Sequence, residues 1–125
     1  MQRFMNIAMK EAYDNVPEGG PFGAVIVRGD EIISIGQNHV TCNNDPTAHA
    51  EIVAIRKACE KLDDFSLKGC SLYTSCEPCP MCLSAIYWSH IDKIYYHHTR
   101  QDAHDARHQR AFFRHRLATH VSDLV

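Results

Sequence analysis

Four residues have the types and spacing to do chemistry: His49 and Glu51, two apart in "PTAHAEI", and Cys79 and Cys82, three apart in "SCEPCPMC". Side chains two apart on a helix do not share a flank, so His49 and Glu51 cannot both reach one object lying along it. At the mouth of a helix that restriction lifts, because both side chains can project past the tip. A histidine and two cysteines at two converging helix starts form a ligand set suited to Zn²⁺, and three protein ligands leave the fourth tetrahedral position for water. Thiolates are favoured at such a tip by the positive end of the helix dipole. Zinc lowers the pKa of a bound water from about 15.7 to roughly 7. A carboxylate beside it that binds no metal, here Glu51, can shuttle protons, an effect worth about 10²–10⁴-fold. The rival arrangement is a closed structural site with Cys76 as fourth ligand, since Cys76, Cys79 and Cys82 are evenly spaced. It leaves Glu51 without a task, and Cys76 falls before the helix, where "YTS" is still extended.

The elements that must position these residues can be read from periodicity. Met5, Ala8, Met9, Ala12 and Val16 recur at three and four, predicting a core-facing helix from Arg3 to about Asn15, stopped by Pro17. "FGAVIVR" and "EIISIGQ" are β-rich runs joined at Arg28-Gly29-Asp30, which predicts a hairpin. After "NNDPT" comes a helix with Ile52, Ile55, Cys59 and Leu62 inward. "CSLYTS" reads as a buried strand, "CLSAIYWSH" as a helix opened by Pro78, and "DKIYYH" as a further strand. Alternating helices and strands imply parallel pairing through crossovers. The expected class is α/β, a three-layer α/β/α sandwich around a central mixed five-stranded sheet. Cys42, Cys59 and Cys70 are expected to be small buried hydrophobes.

Composition narrows the function classes. The 125 residues, 45% hydrophobic and 22% charged, fit one domain spanning 1–125. No apolar run approaches the roughly 18 residues a membrane helix needs, and the opening "MQRFMNIAMKEAYDN" is unlike a signal peptide, so a soluble, cytoplasmic protein is expected. Net charge is −2, which gives no overall positive field to recruit nucleic acid. Six cysteines, three of them spaced C-x-x-C-x-x-C, favour metal over disulfides. The segment 97–125 is atypical and locally basic, with six of the nine histidines and five of the thirteen Lys and Arg. A solvated helix with Ala106, Phe113 and Leu117 inward is expected there.

His49-Ala50-Glu51 followed by Pro78-Cys79-Pro80-Met81-Cys82 matches the signature of zinc-dependent nucleobase deaminases. Through "GGPFGAVIV", "NDPTAHAEI", "AIRKAC" and "LYTSCEPCPMCLSAIYW", residues 19 to 96 resemble bacterial guanine deaminases of the cytidine-deaminase superfamily. The resemblance implies hydrolysis of guanine to xanthine and ammonia by a homodimer with one Zn²⁺ per chain. His49, Cys79 and Cys82 would bind zinc and Glu51 would be catalytic. Asn38, Phe22, Ala50 and Trp88 would contact the base, Ala50 through a backbone N–H without an intrahelical partner. Plainer readings stand beside these: Asn38 is a routine turn residue at a strand end, and Phe22 and Trp88 could be core aromatics. Aligned without gaps from "IYY", Arg110 replaces the family's second guanine-contacting acid, and a guanidinium can only donate where a carboxylate accepts. Two alternatives stay open: another deaminase substrate, such as tRNA adenosine or a nucleotide, and an inactive zinc-stabilised binding module.

Overall fold

The computed structural model describes residues 2–99 and the backbone of residues 117–120. β1 (Gly23–Arg28) is buried at every position but its last, which requires covering layers on both faces of the sheet. Ala24 and Ile26 join one core cluster with Ala50, Ala54, Ala58, Leu72, Ile86 and Ile94; Val25 and Val27 join another with Phe4, Met5, Ala8 and Tyr73. Helix α1 (Gln2–Asp14) therefore covers one face, while α4 (Ala50–Leu62) and α5 (Pro80–Trp88) cover the other. The three-layer α/β/α expectation is met.

The expected hairpin forms between β1 and β2 (Glu31–Gln37), with Gly29 in the left-handed region at φ 62°. The sheet order is β2-β1-β3-β4-β5, with β3 Ser71–Cys76, β4 Lys93–His98 and β5 Leu117–His120. Parallel pairing holds for β3 and β4, which α5 connects, but β1 inserts antiparallel between β2 and β3. The two strands joined by α4 thus run the same way without touching. Antiparallel β5 pairs with β4 and corrects the C-terminal expectation: Leu117 lies on a strand, because β4 would otherwise present an open edge. Ala106, Phe113 and Arg110 lie outside the described residues.

Other details of the periodicity reading are corrected as well. Pro17 does not simply stop α1; it sits in the first turn of a short helix α2 (Val16–Gly19), where a missing N–H costs nothing, and Val16 is exposed. A second short helix, α3 (Val40–Asn43), carries Cys42 to the surface, while Cys70 is buried and Cys59 half-buried. The row of α4 that meets the sheet is Ala50, Ala54 and Ala58, with Ile55, Cys59 and Leu62 packed at its margin. Small residues win there because the helix comes very close: a Cβ on Gly36 of β2 would collide with the Ala50 carbonyl and the Ala54 amide. Among the described residues no helix is long and apolar enough to cross a membrane.

Candidate metal centre

His49 and Cys79 occupy equivalent places, each the N-cap of its helix with an extended backbone, His49 at φ −65°, ψ 159° and Cys79 at φ −71°, ψ 169°. Neither side chain caps its own helix, so imidazole and thiol project beyond the tips. α5 is opened by Pro80 at its first turn rather than by Pro78, as expected from sequence, and it ends at Trp88. Cys82 follows three residues after Cys79, on the same turn.

His49 Nδ1 lies 3.6 Å from Cys79 Sγ and 3.5 Å from Cys82 Sγ. Tetrahedral zinc with sulfur at about 2.3 Å and nitrogen at about 2.0–2.1 Å would separate N from S by about 3.6 Å. The three ligand atoms all lie within 4.8 Å of one another, and among the described residues they are the trio of His, Cys, Asp or Glu that does so. Cys76 does not join them. Among the described residues the donor set therefore fits zinc with three protein ligands, and Cys76 does not close the site.

Glu51 is buried on the same turn as His49, beside the Cys82 thiol. Burial pushes this carboxyl above the usual carboxylate range, opposed by its own backbone amide, by His49 and by Cys82. Burial also drives the Cys82 thiol far up, helped by the neighbouring charges of Glu51 and Cys79. Without an ion both groups favour their protonated forms; a coordinating metal ion would deprotonate the thiol outright through its charge.

The loop before α4 is built by side chains that the sequence reading passed over. Asn44 takes the left-handed conformation at φ 51°. Asp45 Oδ1 accepts from the Thr47 amide at 2.9 Å and from its hydroxyl at 2.7 Å. Arg56, two turns into α4, donates to Asp45 Oδ2 at 3.1 Å and to Thr47 Oγ1 at 3.2 Å. Thr47 in turn offers its carbonyl to the His49 amide at 2.8 Å. Asx turns are readable locally, but an Arg–Asp pair eleven residues apart is not.

The expected substrate residues divide. Ala50 is the first residue of α4 and fully buried, beside the ligand His49. Asn38 lies just past β2, and the next amide, that of His39, donates to the Ala48 carbonyl at 2.8 Å, joining this segment to the His49 loop. The Asn38 Oδ1 accepts from the Val40 amide at 2.9 Å. Phe22 is half-buried and packs on the cluster that contains Ala50. Trp88 is not brought to the centre: it ends α5, 73% exposed and edge-on to Tyr87. It stands nine positions after Cys79, about 13 Å along the axis.

A mixed sheet whose parallel pair is bridged by a Cys-bearing helix, with His and Glu on the neighbouring helix tip, defines a zinc-centred deaminase fold. Residues 1–98 match the family model described as the cytidine and deoxycytidylate deaminase zinc-binding region, and the chain belongs to that family. In sequence it is 59% identical over 92 residues to guanine deaminase of Bacillus subtilis and 46% identical over 92 residues to tRNA-specific adenosine deaminase of Aquifex aeolicus. These matches cover 74% and 73% of the chain but only 59% and 61% of the relatives' lengths. The crystal structure of the Bacillus subtilis guanine deaminase superposes with a TM-score of 0.82 at 53% identity, covering 84% of this chain and 68% of that one. A structure from work on tRNA:A34 deaminases superposes with a TM-score of 0.76 at 40% identity, covering 78% and 76%.

Proposed function

We propose that the chain catalyses hydrolytic deamination of a purine base, converting guanine and water to xanthine and ammonia. The observation that carries this reading is the buried Glu51 carboxyl set against a three-ligand zinc trio. A structural zinc site has no use for such a group. When bound, zinc supplies Lewis acidity that makes a water nucleophilic near neutral pH. Glu51 accepts one proton from the attacking water and passes it to a ring nitrogen, then takes the proton of the newly added hydroxyl and delivers it to the amine as the C–N bond breaks, leaving a carbonyl and ammonia. Its burial favours the protonated form, so it can hold the proton between these transfers. Asn38 retains its side-chain Nδ2 donors for an acceptor on the base. The Ala50 amide, in the unpaired first turn of α4, can donate to the purine carbonyl, and Phe22 packs against the ring.

Guanine is favoured over tRNA adenosine by the higher identity to the guanine enzyme and by the net charge of −2, because tRNA binding leans on several phosphate contacts. A homodimer acting on a free base in the cytoplasm, where thiols stay reduced, is part of the same reading. A panel of nucleobases, nucleosides and tRNA scored for ammonia release tests it: release from guanine supports the proposal. Release only from tRNA, with affinity falling steeply as salt rises, contradicts it.

A further inference from the structure

Asn15 is a polar residue only 4% exposed, lying at the junction of α1 and α2, far in sequence from the metal ligands. Its side-chain Nδ2 donates to the Asn38 carbonyl at 3.0 Å and approaches the Gly20 carbonyl at 3.4 Å. One amide thus joins the two segments that carry Asn38 and Phe22. The contact is close: a Cβ on Gly19 would collide with the Asn38 carbonyl and with the Asn15 amide itself. Other bonds run the same way. The Asn15 carbonyl accepts the Glu18 and Gly19 amides at 3.0 and 2.9 Å, and the Thr41 hydroxyl donates to the Glu18 carbonyl at 3.0 Å. Next to this strap, Gln37 Nε2 donates to the Glu11 carboxylate at 2.7 Å.

We propose that Asn15 is a positioning residue for purine recognition, aligning Asn38 and Phe22 as the two walls of the base pocket. With Oδ1 occupied by the Val40 amide and the main chain pinned by Asn15, the direction of the Asn38 Nδ2 is set before substrate arrives. Pre-set donors raise affinity by removing the ordering cost of binding. The inference rests on the proposed function and assigns nothing to the zinc centre, which Asn15 does not touch.

The test is Asn15→Asp, which keeps the shape but turns an acceptor toward two carbonyls, with Asn15→Ser as a second variant that keeps one donor. Steady-state kinetics with guanine, zinc content, and the guanine Kd measured in a Glu51→Gln background are read on the full chain. Leaving buried carbonyls facing an unmatched oxygen predicts a KM and Kd raised by about tenfold or more in Asn15→Asp and less in Asn15→Ser. kcat should change by less than about threefold, and zinc should stay at one per chain. Unmoved KM and Kd in both variants would overturn the inference alone. Loss of zinc together with affinity in both would also overturn it, making Asn15 a folding residue. If Asn15→Asp fails to fold, the serine variant decides by the same readings. A wild-type chain that releases ammonia from no base sinks the functional reading and this inference with it.

Discussion

α4 and α5 each begin on a metal ligand, yet their starts are built differently. The tip of α4 is held by polar side chains, through Asp45, Thr47 and Arg56, and by close backbone packing over Gly36. The tip of α5 is held by Pro80 in the first turn and by a short link to β3, which ends at Cys76. α4 also buries a carboxyl group, whereas α5 is apolar throughout apart from Ser84 and leaves Met81, Tyr87 and Trp88 exposed. The difference teaches a division of labour: α5 brings two thiols to the centre from a proline-opened turn, and α4 brings one imidazole and a buried carboxyl from a start fixed by side-chain hydrogen bonds.

The largest effect should come from the α5 side. Cys82→Ala removes a buried ligand, and metal analysis should find zinc reduced from one per chain to a small fraction, with a lower melting temperature, because ligand loss removes binding energy that also stabilises the fold. Retention of full zinc would mean another group substitutes and would break the comparison. On the α4 side, Glu51→Gln should keep zinc while turnover falls by about 10²–10⁴-fold. Equal loss of zinc in both variants would erase the distinction between ligand and proton carrier.

Smaller effects sharpen the contrast. Gly36→Ala should destabilise the chain by about 1–3 kcal/mol in chemical denaturation, since the new methyl meets backbone that cannot yield without shifting α4. An unchanged midpoint would show that α4 rides more loosely on the sheet than its alanine row indicates. Arg56→Met should leave the denaturation midpoint nearly unchanged, because its pair with Asp45 is solvent-exposed. A chelator competition showing zinc affinity within a few-fold of wild type would agree. A much larger drop would make the polar clamp the main support of His49.

The site was more legible than the frame around it, for physical reasons. His49, Glu51, Cys79 and Cys82 are placed by local spacing at two helix starts, and short-range geometry is what a linear string records. The hairpin at Gly29 and the α1 stripe were readable on the same grounds. Strand order was not, because the insertion of β1 between β2 and β3 depends on pairing between distant segments. Hydrophobicity pointed to Ile52, Ile55, Cys59 and Leu62 as the inner face of α4; Ile52 is buried and the other three pack at the margin, but closeness of approach put the alanines at the centre of the contact. Leu117 showed a helical stripe by spacing, and the edge of β4 took it as a strand. Asn15 resembled an ordinary helix end; only its reach to the Asn38 carbonyl, 23 residues on, gives it a role.

X-ray absorption at the zinc edge of the metal-loaded protein addresses the centre directly. Two sulfur neighbours at about 2.3 Å with lighter N/O neighbours at about 2.0–2.2 Å are predicted, matching His49, Cys79, Cys82 and a position open to water. A third sulfur in the shell would close the site through another cysteine and contradict the account.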